Sequence, residues 1–207
     1  MNSVVPTASG KYKSLMVLLH GLGSNGDDLF SLVPYFKTSM PDTYFFAPDA
    51  IEPYDQAPFG YQWFSLKDRS EEVKIQELER VFPTINSLID AKKTELELED
   101  ADIILCGFSQ GAMVSLYLAL SQDKQYKAVI AFSGALIKPA KVCKTKTPIC
   151  LIHGMEDDVV PYSNMKQASE ILQELGFEME TFAVPNLGHS IDMTGLKKAS
   201  TFIQNRL

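Results

Sequence analysis

The chain has 207 residues, of which 45% are hydrophobic and 22% charged, and 26 acidic against 19 basic residues give a net charge of −7. This acidic balance, with no basic stripe to neutralise phosphates, excludes a nucleic-acid partner. No apolar run approaches the ~20 residues that span a bilayer, and the opening MNSVVPTASGKYK lacks the pattern of a signal peptide. One domain spanning 1–207 is expected, without stable membrane insertion.

The first apolar run, SLMVLLH (14–20), reads as a strand and opens into the glycine-rich loop HGLGSNG (20–26). The loop lacks the G-x-x-x-x-G-K-[ST] pattern of a phosphate cradle; its plain job is a turn leading to Asp27 or Asp28 as N-cap of a helix over 28–37. A second strand, TYFFAP (43–48), precedes the stretch 50–70, which holds two prolines, five aromatic residues and no period. So long a patternless segment is either a lid or pocket wall, or simply packs on the body. A helix over 71–96 follows; Pro83 predicts a kink or a break in it, and its ELELED end reads as a solvated face.

Strand ADIILCGF (101–108) and a helix over 110–120 come next, then strands KAVIAFSG (127–134) and ICLIHG (149–154). A helix over 162–175, strand METFAVP (179–185) and a helix over 194–204 complete the order. Four strands are almost continuously apolar, as strands covered on both faces should be. The alternation predicts an α/β fold, a parallel sheet between layers of helices.

Three cysteines, Cys106, Cys143 and Cys150, form an odd set without metal-ligand spacing. Cys106 and Cys150 lie in apolar runs and read as free buried thiols, which fits a reducing cytoplasm. No His/Asp/Glu set shows metal spacing, and no cofactor is implied.

GFSQG (107–111) fits G-x-S-x-G, a weak signal alone that its setting between strand and helix makes informative. Ser109 would stand on a bent elbow at the carboxyl edge of the sheet, Gly107 and Gly111 leaving room for the turn. A serine hydroxyl needs a base, and the chain order serine, acid, histidine leaves only His189 with room for an acid before it. His20 and His153, each before a glycine at a strand end, read as structural. Glu156, Asp157 and Asp158 all follow the strand at 149–154, and spacing does not choose among them; the remaining two would be solvated or cap the next helix. Two backbone donors should meet an oxyanion: the N–H of Gln110, and that of Leu22 from the early loop.

HGLGSNGDD, QWFS, GFSQGA, HGMEDDVVP and LGHSI stand in the order and spacing of one family. From about Leu15 onward the chain resembles the phospholipase/carboxylesterase family of small α/β-hydrolases, to which acyl-protein thioesterases and lysophospholipase-like esterases belong. The resemblance implies an α/β-hydrolase fold with no large cap, and places the acid at Asp157, nucleophile and base at Ser109 and His189, and oxyanion donors at Leu22 and Gln110. Trp63 and Phe64 of QWFS would line the acyl pocket. Ala112 replaces a glycine frequent in the family, at a helix start where alanine is favourable. The resemblance also admits a homodimer, which no stripe of residues demands.

The function expected is hydrolysis of short to medium acyl esters, small-molecule or lipid. The alternatives are an acyl-protein thioesterase or lysophospholipase, and a non-catalytic binding protein of hydrolase fold, which would usually have lost one of the three residues.

Overall fold

The computed structural model describes residues 10–206; the first nine residues of the segment in which no signal pattern was read lie outside them. Strand β1 (Ser14–Leu19) is followed by two short helices, α1 (Gly26–Phe30) and α2 (Val33–Lys37), and by β2 (Thr43–Phe46). The segment expected to be patternless carries β3 (Glu52–Pro53) and β4 (Tyr61–Gln62) before the long helix α3 (Glu71–Glu95). Then come β5 (Ile103–Phe108), α4 (Gln110–Ser121), β6 (Ala128–Phe132) and β7 (Ile149–Gly154). Helix α5 (Ser163–Glu174), β8 (Met179–Val184) and α6 (Met193–Gln204) complete the chain.

Six strands form one sheet in the order β2-β1-β5-β6-β7-β8, every neighbouring pair parallel. Their alternate side chains explain the continuous apolar runs. Leu15, Val17 and Leu19 of β1 pack with Leu78 and Ile85 of α3 and with α4, while Met16 and Leu18 face the opposite cluster with Phe36 of α2 and Phe202 of α6. With both faces covered, each β1 side chain is fully buried, contributing about 1.5–3 kcal/mol per large aliphatic group. Every residue of α4 up to Leu120 is buried too, so that helix is apolar all round.

The strands and most helices fall where the apolar periods put them, to within a residue or two at either end. The helix expected over 28–37 is two short ones, with Pro34 in the first turn of α2. Its cap is Asn25, whose Oδ1 accepts the N–H of Asp28 at 3.1 Å; Asp27 and Asp28 sit inside the first turn instead. Pro83 does not divide α3. Pro83 and Glu79, whose carbonyl loses its helical donor, both lie on the exposed face of the helix, where the lost hydrogen bond costs least. The small β3–β4 hairpin is antiparallel and is tied to the loop after β1, Gly23 N–H donating to Tyr61 O at 2.8 Å.

Candidate active site

All six sheet strands point the same way, so the loops after β1, β5, β7 and β8 gather at one edge. They bring His20–Leu22, Ser109, Asp157 and His189 together.

Ser109 has φ 54° and ψ −115°, a conformation that a side chain rarely adopts. The surroundings impose it: the Ser109 N–H donates to Phe132 O at 2.9 Å, and the residue is followed at once by α4. The two motif glycines are required by contact. A Cβ on Gly107 would lie 2.2 Å from Gly111 O, and one on Gly111 1.9 Å from Leu19 O.

His189 follows β8 in a loop whose backbone is pinned to the acid's loop, Glu156 N–H donating to Leu187 O at 2.9 Å. Its Nδ1 lies 2.7 Å from Asp157 Oδ2 and its Nε2 3.0 Å from Ser109 Oγ. A carboxylate only accepts, so Nδ1 carries the proton and Nε2 presents its lone pair to the serine. Phe108 supports the ring, centroid to centroid at 4.8 Å.

Asp157 is buried with its full complement of donors. Oδ1 accepts the N–H groups of Val159 and Val160 at 3.0 and 2.8 Å, and Oδ2 faces His189 Nδ1. Burial opposes its charge, but these hydrogen bonds hold the carboxyl below its ordinary range. His153, read as structural in the sequence, also serves this carboxylate. Its Nε2 lies 2.7 Å from Val160 O and 3.2 Å from Asp157 Oδ2, both acceptors, so Nε2 is protonated and donates. Glu156 and Asp158 point to solvent, and neither caps α5.

His20 orients the early loop. Ala50 N–H donates to its Nε2 at 2.9 Å, so its Nδ1 is the donor to Gly21 O at 2.7 Å. Burial keeps the ring neutral by lowering its pKa. The Gly21 carbonyl shares a planar trans peptide with the Leu22 N–H, which therefore points the opposite way. That N–H takes no protein acceptor among the described residues, and the N–H of Gln110 stands at the first turn of α4, beyond reach of any intrahelical acceptor.

Ser109, His189, Leu22 and Gln110 line one cleft of about 440 Å³. Trp63 and Phe64, expected in its wall, are fully buried beneath it and do not line it. They are held from below: the Gln110 side chain accepts the Trp63 N–H at 2.9 Å and donates to Phe64 O at 2.7 Å. The indole N–H of Trp63 donates to His20 O at 2.9 Å. The irregular segment is thus packed through its middle, and reaches the cleft only with Leu66 and Arg69. The other walls include Val159 and Val160 of the HGMEDDVVP stretch, and Met113, Ala135 and Lys74, which no motif marked.

The three cysteines are buried and unpaired, and burial pushes the thiols of Cys106 and Cys150 up to about 12. No helix among the described residues is long and apolar enough to cross a membrane.

The sequence matches the phospholipase/carboxylesterase family over residues 1–207. It is 29% identical to esterase YpfH of Escherichia coli (strain K12) over 196 residues, covering 95% of this chain and 84% of that protein. It is 28% identical to acyl-protein thioesterase 1 of Emericella nidulans over 223 residues, covering 97% and 92%. The crystal structure of esterase PE8 superposes with a TM-score of 0.91 at 38% identity, covering 99% of this chain and 98% of that one. Esterases and thioesterases on every side make the chain a carboxylic ester hydrolase. With the family matched end to end and the α/β-hydrolase fold in place, the chain belongs to the phospholipase/carboxylesterase family.

Proposed function

We propose that the chain, acting as one catalytic domain, is a serine carboxylesterase for short to medium acyl esters. The observation that carries this reading is the hydrogen-bonded line from Ser109 Oγ through the His189 ring to Asp157, at 3.0 and 2.7 Å, opening on the cleft. In the first step His189 Nε2 takes the Ser109 proton as Oγ attacks the ester carbonyl, and the carbonyl oxygen becomes an oxyanion facing the Leu22 and Gln110 N–H groups. The tetrahedral intermediate collapses to an acyl-serine, and His189 returns the proton to the departing alkoxide, releasing the alcohol. Water then attacks the acyl-serine with His189 again as base, and the acid leaves as Ser109 regains its proton. Asp157 stays ionised throughout and stabilises the imidazolium that forms in each step.

A second reading, hydrolysis of thioesters on acylated proteins, draws its support from relatives named acyl-protein thioesterase 1. The three reduced cysteines fit a cytoplasmic enzyme on either reading. Light scattering tests the homodimer suggested by the family resemblance. Hydrolysis of p-nitrophenyl esters from acetate to palmitate, with Ser109→Ala as control, separates the two activities. A rate maximum at short chains with at least about 10³-fold loss in the variant supports the carboxylesterase. Activity that keeps rising at long chains moves the assignment to lipid or acyl-protein substrates, and undiminished turnover by the variant removes Ser109 from the mechanism.

A further inference from the structure

The cleft that holds Ser109 and His189 carries a charge opposite to that of the molecule. The chain has a net charge of −7, yet the cleft is lined by Arg69 and Lys74 and by no carboxylate. Of the three arginines, Arg80 is paired with Glu52 and Glu77, and Arg206 with Glu178. Arg69 and Lys74 have no carboxylate within ion-pair distance among the described residues, although Glu71 and Glu72 stand beside them in sequence. Asp68, on the other side of Arg69, spends its Oδ1 on the Ser70 N–H at 2.8 Å. Arg69 directly precedes Ser70, the N-cap of the 25-residue helix α3, and Lys74 lies in the first turn of that helix, whose positive dipole end adds to their field.

We propose that Arg69 and Lys74 form an anion-binding end of the cleft, and that the preferred ester carries a carboxylate or phosphate within their reach. The proposal rests on the esterase reading above. Leu22, Leu66, Met113, Val159 and Val160 give the remaining wall an apolar character, and a charge at the edge of such a wall is less screened than one on open surface. The arginine fork matches either anion through paired N–H donors, while the lysine supplies a mobile point charge. An anion seated there fixes which end of the substrate faces the cations and so which carbonyl meets Ser109, an orienting effect that apolar walls alone do not supply.

The test compares neutral esters with charged counterparts of the same acyl and alcohol skeleton. One pair is p-nitrophenyl pentanoate against p-nitrophenyl hemiglutarate, which puts a carboxylate on the acyl side. The other is monobutyrin against monobutyryl glycerol phosphate, which puts a phosphate on the alcohol side. Spontaneous hydrolysis is subtracted using Ser109→Ala. The charged member of at least one pair should be favoured by about tenfold in kcat/KM, and which pair responds identifies the anion. That advantage should shrink with added salt, fall toward one in the Arg69→Gln/Lys74→Gln variant, and survive in part in Arg69→Lys. No preference in either pair, or a preference that persists in the double variant, overturns the proposal while leaving the esterase reading intact. Failure of the wild-type protein to cleave any of the four esters removes that reading and this inference together.

Discussion

Two histidines that precede glycines at strand ends, His20 and His153, each hold a proton on one nitrogen for a stated purpose. His153 gives its Nε2–H to the buried oxygens of Val160 and Asp157. His20 accepts from Ala50 through Nε2 and clamps the Gly21 carbonyl through Nδ1–H, which fixes the plane of the peptide that carries the Leu22 N–H. This division of labour separates in two substitutions. Asn at position 20 keeps a donor where Nδ1 stands; Gln keeps an acceptor where Nε2 stands. Each leaves one buried partner unsatisfied and should cost about 1–3 kcal/mol of stability. Only His20→Gln loses the clamp on the Gly21 peptide, so its kcat should fall by about tenfold or more while His20→Asn retains most of it. Equal losses of kcat in steady-state assays of both folded variants would make His20 a packing residue alone.

At the scale of elements, the β5–α4 elbow and the long helix α3 show two ways of accommodating an unfavourable residue. At the elbow, Ser109 keeps a strained backbone because two close approaches, Gly107 on Gly111 and Gly111 on Leu19, leave it no other path. In α3 the proline stays in a continuous helix because its missing hydrogen bond faces water. The first arrangement is bound to the chemistry, whereas the second is incidental. Pro83→Ala should therefore stabilise the protein by about 1–3 kcal/mol, alanine restoring a helical N–H while the unfolded chain regains some entropy. Thermal unfolding measures it, and a lowered midpoint would mean that the proline ring makes packing contacts that its exposure hides. Activity should not change, since α3 meets the cleft only at its first turn.

For the molecule as a whole, the buried histidines set the acid limit. Burial lowers the pKa of both His20 and His153, so in the folded state they stay neutral where unfolded histidine, near pH ~6.5, takes up a proton. As the pH falls below ~6.5 the unfolded chain binds more protons than the folded one, and stability declines until the folded rings titrate. Asp157 acts in the same direction in a lower window. Its lowered pKa stabilises the fold above the ordinary carboxylate range, and that contribution disappears as the pH falls through its folded value. Urea unfolding should therefore show a loss of stability between about pH 7.5 and about pH 5.5, of up to about 1.4 kcal/mol per pH unit for each histidine, and a further loss below about pH 4. A flat profile across the first interval would show that neither ring is protonated preferentially on unfolding.

The sequence by itself determined the layered α/β plan and the place of Ser109 on a strand-to-helix elbow. Both follow from local causes: strands covered on two faces must be apolar throughout, and a strand-to-helix elbow needs glycines beside its serine. The family motif singled out Asp157 where three adjacent carboxylates were equivalent by spacing. Tertiary structure alone decided where side chains point in the irregular segment. Trp63 and Phe64 belong to a motif near the site, yet they turn inward because Gln110 and the His20 carbonyl satisfy their backbone and indole groups below the cleft. No period exists across 50–70 to encode that direction, and β3 and β4 are too short to establish one. Nor could a local pattern bring Arg69 and Lys74 into one cleft with the serine. Ser109, Asp157 and His189 meet because parallel strands deliver the loops after β5, β7 and β8 to a single edge, a consequence of strand order that no stretch of sequence contains.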